Sequence, residues 1–130
     1  MTKENLRLLD ANLNRLREGI RVVEDICRYI FNDKQTSQKL KNLRHNSRIN
    51  LYEQLLDSRD IVNDVLKSTT KSEQNRDDLN SILIANFKRA QESSRVLEEF
   101  GKLISSEISE NFKNIRYELY DLEKVILKKD

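Results

Sequence analysis

Polar residues occupy positions in this sequence where a helical pattern calls for apolar ones, and their types suit anion binding. At about 100° of rotation per residue, Asn12 and Asn86 fall within the apolar stripes of two long segments. Arg44 and Arg116 fall within the stripes of the segments that follow. Because an unpaired buried charge costs several kcal/mol to desolvate, each guanidinium needs a carboxylate, another polar group or a bound anion.

Further charged residues flank these stripes. Arg15 and Arg89 lie at one margin of the two long stripes, and Glu24 and Glu98 lie at the opposite margin. Two interpretations follow from this arrangement. The polar groups could form buried networks that fix helix register, which is a known role of polar core residues. They could equally converge on a phosphate ligand, since arginine binds phosphate oxygens with paired donors.

Asp60 and Asp64 are four residues apart on one face of a predicted short helix. This spacing suits a magnesium ion whose shell is completed by phosphate oxygens. The alternative is that Asp60 caps the helix and Asp64 is simply exposed. Glycine-rich phosphate loops are absent from the sequence, so a phosphate would be bound by side chains and helix ends.

The periodicity of apolar residues places these side chains on helices. Capping signals and polar runs mark the ends of the segments. The predicted elements are a helix from about Lys3 to Phe31, a turn at 32–36, a helix from Thr36 or Ser37 to about 56, a short helix from Asp57 or Ser58 through Leu66, a mobile loop from Ser68 to Gln74, a helix from Leu79, and a last helix from Ser109 or Glu110.

The two long helices carry a repeated pattern. Residues 11–25 and 85–99 share A-N-Φ-x-R-x-x-E-x-x-R-V-Φ-E-[DE], where Φ is apolar, and residues 40–45 align with 112–117 at nearly the same offset. Gly19 and Ser93 occupy equivalent positions, and small residues there favour close helix packing or space beside the asparagines. The duplication predicts an all-α fold, a pseudo-twofold four-helix bundle of two helical hairpins with a short connector helix. The predicted single domain, 1–130, divides into repeat one at about 6–56, a connector at 57–78 and repeat two at about 79–127.

Composition narrows the class of protein. The 130 residues include 24 basic and 22 acidic ones, with no proline, one cysteine and one histidine. Interleaved charges with a net charge of +2 are not typical of a nucleic-acid-binding protein. Cys27 and His45 cannot form an internal disulfide or a zinc cluster. We expect a cytoplasmic protein with no membrane partner, since we find neither a signal-peptide pattern nor an apolar run long enough to cross a bilayer.

Seven runs of the sequence together resemble one family, namely residues 10–15, 18–25, 43–45, 59–60, 85–86, 95–100 and 116–120. It is the small, all-helical hydroxymethylpyrimidine phosphate kinase family of thiamin biosynthesis, whose members occur alone or fused to thiamine phosphate synthase. The resemblance extends from about Leu6 to Lys124. It implies an enzyme that transfers the ATP γ-phosphate to 4-amino-5-hydroxymethyl-2-methylpyrimidine phosphate, giving the diphosphate, with ATP and Mg²⁺ as cofactors. Leu66 departs from the family pattern, which leads us to expect a glycine there.

Roles follow from the chemistry of phosphoryl transfer, which depends on charge neutralisation and alignment. We predict that four arginines act on phosphate oxygens as catalytic groups: Arg15, Arg44, Arg89 and Arg116. The predicted substrate-binding residues are Asn12, Asn86, Glu18, Glu92, Arg21, Arg95 and Arg59. Asp60 and Asp64 are the predicted metal ligands, and Glu18 and Glu92 are alternatives for binding magnesium or the acceptor hydroxyl.

Two other functions remain open at this point. The first is a non-catalytic helical module that binds a thiamin intermediate or thiamine phosphate synthase. The second is a structural bundle that forms a homodimer through an exposed apolar stripe. The structural alternative predicts that carboxylates fully satisfy Arg44 and Arg116, whereas the kinase predicts small-molecule substrates as the principal partners.

Overall fold

The structure is a computed structural model that describes residues 1–128, apart from the side chain of Ser72. Its helices are α1 (Lys3–Asp25), which continues into a turn of π-helix (Ile26–Ile30), α2 (Lys34–Asn46), α3 (Tyr52–Ser58), α4 (Lys71–Gln74), α5 (Leu79–Gly101) and α6 (Ser106–Leu127). No strand occurs within residues 1–128. The predicted all-α fold is confirmed, and the helix packing is consistent with a bundle.

Side-chain caps set where the long helices begin. Thr2, Asp33, Asp78 and Ser105 each accept a hydrogen bond from a backbone N–H in the first turn of the helix that follows. Each bond satisfies one of the N–H groups that a helix start leaves unpaired. The caps move two predicted boundaries, because α2 begins at Lys34 and α6 begins at Ser106, both earlier than the apolar pattern indicated.

The apolar stripes of α1 and α5 meet at the centre of the molecule. Helix α6 packs on α5, while α2 and α3 pack on α1. Leu16, Ile20, Phe87, Leu97 and Phe112 are fully buried in the resulting core. Gly19 marks the close approach of the two central helices, since a Cβ atom there would lie 3.0 Å from the backbone oxygen of Asn86. Close helix packing therefore explains why the residue at this position is small.

The second predicted helix is interrupted in the structure. Helix α2 ends at Asn46, and the chain is not helical again until α3 begins at Tyr52. The break coincides with Ser47, whose buried hydroxyl donates to the Leu43 carbonyl oxygen at 2.7 Å. Serine side chains that bond to nearby backbone carbonyls compete with helix continuation. The prediction of one helix to about residue 56 was wrong, because the spacing of apolar residues does not reveal this local hydrogen bond.

The predicted helix from Asp57 or Ser58 through Leu66 is also absent, since residues 59–70 form turns and extended chain. Asp60 accepts hydrogen bonds from the backbone N–H of Asn63, at 3.0 Å, and from its side-chain amide, at 2.7 Å. Asp64 accepts one from the backbone N–H of Leu66 at 3.0 Å. Aspartate side chains used in this way favour turns over helices.

The short helix of the connector lies further along the chain, at α4. Thr70 and Glu73 form a capping box at its start, so part of the segment predicted as a mobile loop, 68–74, is helical. The apolar residues that suggested the earlier helix are all largely exposed: Ile61, Val62, Val65 and Leu66. None of the helices described is both long and apolar enough to cross a bilayer.

Candidate functional site

A cavity of about 430 Å³ lies between the N-terminal half of α1 and the turn that follows α3. Helix α1 presents side chains at intervals of three or four residues, and the turn closes over them. Five predicted site residues line this cavity, namely Asn12, Arg15, Arg59, Asp60 and Asp64. Residues from two parts of the sequence, repeat one and the connector, therefore meet at one place.

An ion pair between Arg59 and Asp10 joins the two walls of the cavity. The Nε and Nη2 atoms of Arg59 donate to the two carboxylate oxygens of Asp10, each at 2.8 Å. Asp10 is buried, whereas Arg59 is partly open to solvent. The hydrogen bonds and the charge of Asp10 raise the pKa of Arg59. Bidentate pairing of this kind fixes the orientation of the guanidinium as well as its position.

A second contact fastens the turn to α1. The Nη2 atom of Arg7 donates to the backbone oxygen of Asp60 at 2.8 Å. The Asp60 carboxylate accepts two hydrogen bonds from Asn63, and these bonds are the main cause of a lowered pKa at Asp60. Asp60 is thus ionised over a wider pH range than an ordinary aspartate, which suits cation binding better than proton transfer.

The predicted metal ligands Asp60 and Asp64 share the cavity. Mg²⁺ is usually bound by one or two carboxylates together with substrate phosphates and water. The hard oxygen donors of these two aspartates fit that requirement, although each also accepts a hydrogen bond within its turn. In the described part of the chain, no group of three or more His, Cys, Asp or Glu side chains is arranged to hold a metal ion.

The two predicted asparagines make the same contact in each repeat. The side-chain amide of Asn12 donates to the backbone oxygen of Leu8, and that of Asn86 donates to the backbone oxygen of Ile82, both at 2.9 Å. The bond leaves each residue with its amide oxygen as an acceptor and its second amide N–H as a donor. Asn12 lines the cavity beside Asp10, but Asn86 does not.

The predicted inward arginines are paired with the glutamates at the stripe margins. Arg44 donates to both carboxylate oxygens of Glu24 at 2.7 and 3.1 Å, and Arg116 donates to Glu98 at 3.2 and 2.9 Å. These equivalent contacts support the sequence repeat, while the twofold arrangement of the whole molecule stays a prediction. The structural alternative predicted this carboxylate pairing, and neither arginine lines the 430 Å³ cavity.

The other predicted residues lie outside the cavity. Glu18, Arg89 and Glu92 are exposed. Arg21 pairs with Asp25 at 3.4 Å. Arg95 pairs with Glu98 at 2.9 Å and with Glu99 at 3.2 Å. One group of the predicted residues thus lines the 430 Å³ cavity, and the others lie outside it. The roles of all of them in binding or catalysis stay predictions.

A second cavity, of about 450 Å³, lies between the start of α5 and the segment at the end of α4. Its lining includes Ala85, which aligns with Ala11 of the first cavity, and Ile84, which aligns with Asp10. The buried carboxylate of the first cavity is therefore replaced by an apolar side chain. Arg89 does not line this cavity. The two repeats are not equivalent chemically.

Sequence reasoning missed several residues of the first repeat. Arg7 and Asp10 hold the turn, although neither was singled out from the sequence. Arg17 was missed as well, yet it follows Asp10 by seven residues and precedes Glu24 by seven, and this spacing places all three on one face of α1. That regular spacing is the signal that could have found them.

The π-helical turn was also not predicted. It borders a third cavity, of about 340 Å³, whose lining includes Arg28, Lys34 and Lys41 together with Glu24 and Asp33. None of the predicted site residues lies in it. Turns of π-helix occur frequently at functional sites, but the chemistry predicted from the sequence does not involve this one.

A family model matches residues 7–125, which include both repeats and the connector with its cavity residues. The chain belongs to the ThiD2 family. Family membership supports the part of the sequence resemblance that concerns thiamin biosynthesis.

Relatives of this ThiD2 chain are named thiamine-phosphate synthase. Those from Thermosynechococcus vestitus, Rhodopirellula baltica and Prochlorococcus marinus are each 42% identical, over 121, 120 and 123 residues. The matches cover 92, 88 and 94% of this chain but only 34, 32 and 36% of the relatives. The chain thus spans about a third of the length of these relatives. No solved structure matches the chain. The comparisons relate it to thiamin biosynthesis, and the relatives' names do not specify a kinase.

Proposed function

We propose that this chain is an ATP-dependent kinase that phosphorylates 4-amino-5-hydroxymethyl-2-methylpyrimidine phosphate to the diphosphate. The observation that carries the proposal is the charge composition of the 430 Å³ cavity. Three guanidiniums, of Arg7, Arg15 and Arg59, meet four carboxylates, of Glu4, Asp10, Asp60 and Asp64. A surplus of carboxylates disfavours a bare phosphate anion. The same set suits a phosphate that arrives together with a divalent cation.

The reaction that this site would support places few demands on acid–base chemistry. An oxygen of the substrate phosphate forms a bond to the γ-phosphorus of ATP, while the bond from that phosphorus to the β–γ bridging oxygen breaks and ADP leaves. A phosphate oxygen that is already ionised needs no base to remove a proton. The task of the protein is then charge neutralisation and alignment, which agrees with a cavity rich in charged residues.

Arg15 and Asp60 have separate roles in this proposal. Arg15 is exposed at the cavity wall and has no ion-pair partner among residues 1–128 at 4 Å or less, so its donors can reach phosphate oxygens. Asp60 and Asp64 would hold Mg²⁺, which neutralises negative charge on the phosphates when bound. Asn12 would accept or donate hydrogen bonds at the edge of the pyrimidine or at a phosphate.

The test is a magnesium-dependent assay with ATP and the pyrimidine phosphate, which measures ADP and the diphosphate product. We expect turnover by the wild type and a loss of about a hundredfold or more in Arg15→Gln and Asp60→Asn, by analogy with removal of one transition-state hydrogen-bond donor. Lys124→Gln, a change of an exposed residue on α6, is the matched charge control. Arg44→Ala and Arg116→Ala, each checked for folding, examine the two arginines predicted from the repeat.

A second candidate is a non-catalytic module that binds a thiamin intermediate or thiamine phosphate synthase. The observation in its favour is that the chain matches only a third of the length of the thiamine-phosphate synthases. Saturable binding of the pyrimidine phosphate without ATP-dependent product would favour this candidate over the kinase. If the chain showed neither binding of the pyrimidine phosphate nor formation of product, both candidate functions would be contradicted.

A further inference from the structure

The first repeat carries a cluster of arginines that the 430 Å³ cavity does not include. Arg44 is held by Glu24 at the contact between α1 and α2. Arg17 lies two helical turns before Glu24 on the same face of α1. Arg48 follows Arg44 by four residues. Arg48 lies beyond the end of α2, and its charge acts on Arg17 together with that of Arg44.

Arg17 lacks the partners that a partly buried guanidinium normally has. Its Nε atom is buried and has no hydrogen-bond acceptor in the described part of the protein. Burial lowers the pKa of Arg17, and the nearby charges of Arg48 and Arg44 lower it further. Partial desolvation and the same two arginines lower the pKa of His45. Glu24 and Asp25 both act on Arg44 as negative charges, and the two oxygens of Glu24 are both used by Arg44.

The second repeat provides an internal comparison. Gln91 stands at the position of Arg17, and its side-chain amide donates to Glu123 at 2.9 Å. Tyr120 stands at the position of Arg48, and its ring centroid lies 5.8 Å from the guanidinium carbon of Arg116. Repeat two therefore has uncharged side chains at these two positions, although Arg95 also pairs with Glu98 there, at 2.9 Å. The first repeat instead has two further arginines at the equivalent positions.

We propose that Arg17 and Arg48, beside the Arg44–Glu24 pair, form a phosphate-binding site that only the first repeat possesses. An unpaired, partly buried guanidinium destabilises a fold, and a phosphate bound at the terminal nitrogens of Arg17 would neutralise its charge. The site lies about 10 Å along α1 from Asp10, at about 1.5 Å per residue. This inference goes beyond the proposed function, since binding there does not require phosphoryl transfer.

The test measures binding by isothermal titration calorimetry without magnesium, using pyrophosphate, ATP and the pyrimidine phosphate as separate probes. We expect saturable binding of at least one probe by the wild type. Arg17→Gln and Arg48→Gln should each weaken it about ten- to a hundredfold, the usual effect of one charge-assisted hydrogen bond. Lys124→Gln should bind as the wild type does. The probe whose affinity depends on Arg17 identifies the source of the phosphate.

Thermal unfolding of the ligand-free proteins separates binding from structure. Removing an unpaired charge that is repelled by two neighbours should leave the melting temperature of Arg17→Gln equal to or above that of the wild type. A lower melting temperature would show a structural guanidinium and overturn the proposal. So would unchanged affinity in Arg17→Gln, or no binding of any probe. Phosphate binding that depends on Arg17 without kinase turnover would support this site while refuting the proposed reaction.

Discussion

The Glu24–Arg44 pair should be the most sensitive polar contact in the molecule. Glu24→Gln keeps the shape of the side chain but removes its charge, so Arg44 loses its counter-ion while the positive charges of Arg17 and Arg48 remain. The side chains of Glu24 and Arg44 are only 3 and 13% exposed. Little water is therefore available to replace the lost interaction, and the variant should be strongly destabilised.

The magnitude follows from the burial of the pair. Breaking a fully buried ion pair costs about 3–5 kcal/mol, and the residual exposure of Arg44 favours the lower end, about 3 kcal/mol. An unfolding entropy of about 2.1 cal/mol/K per residue gives about 0.27 kcal/mol/K for 130 residues. The melting temperature should therefore fall by about 11 °C, provided that unfolding is two-state.

The equivalent change in repeat two, Glu98→Gln, should cost less. Arg116 retains favourable contacts with two aromatic rings, whose centroids lie 4.9 Å (Tyr117) and 5.8 Å (Tyr120) from its guanidinium carbon. We expect a loss of about 2 kcal/mol, since a contact between a cation and an aromatic face contributes about 0.5–1 kcal/mol at exposed sites. Differential scanning calorimetry of both variants beside the wild type gives the comparison directly.

A double variant tests the reason for the difference. Adding Arg17→Gln to Glu24→Gln should recover part of the lost stability, because one of the charges that repel Arg44 is removed. The coupling between two such changes is measured by a double-mutant cycle. Equal losses for Glu24→Gln and Glu98→Gln, together with no recovery in the double variant, would refute the idea of a positively charged cluster in repeat one.

Two further predictions concern the connector and the helix contact. Asn63→Ala should raise the pKa of Asp60 toward its ordinary value, because the side-chain bond from Asn63 is the largest cause of the lowered pKa. The ionised form of Asp60 stabilises its turn above the unfolded-state pKa, and this stabilisation is lost as pH falls through the folded-state pKa. Carboxyl NMR titration of the wild type and the variant measures the change in the pKa of Asp60. Identical titration curves would contradict the prediction. Gly19→Ala should lower stability by about 1 kcal/mol in urea denaturation, since overpacking costs about 1–3 kcal/mol and alanine returns up to about 1 kcal/mol of helix propensity. Its new Cβ would lie 3.0 Å from the backbone oxygen of Asn86, and a stabilised variant would show that the helices separate easily.

The long helices could be predicted because their apolar residues recur over many turns. The interruption at Ser47 and the turn at Asp60 could not, since each depends on a side chain that bonds to the backbone within four residues. Such bonds compete with the helix locally. The spacing of apolar residues indicates only which positions are buried, so the helices predicted from it continued through both places.

The candidate site was predictable in its residue types but not in its geometry. Asn12, Arg15 and Asp60 were identified from the sequence, and the cavity contains all three. The bond that holds the cavity together, between Asp10 and Arg59, joins residues 49 positions apart. Its formation depends on α3 packing against α1, and no local pattern specifies that contact. Tertiary packing therefore supplied what spacing along the chain did not.

The two repeats share a set of ion pairs but differ in what surrounds them, and this difference bears on function. If the Arg–Glu pairs served only to fix helix register, we would expect both copies to have groups with partners at the neighbouring positions, as repeat two has with Gln91, Tyr120 and the Arg95 that pairs with Glu98. Repeat one instead places Arg17 and Arg48 there, at a cost in charge repulsion. It also has Asp10 where repeat two has Ile84. An unpaired, partly buried guanidinium such as that of Arg17 does not stabilise a structural bundle, whereas a site for phosphorylated ligands can use it. Arg17 and Arg48 are thus two arginines of the first repeat that have no arginine counterpart in repeat two, and binding experiments should begin there.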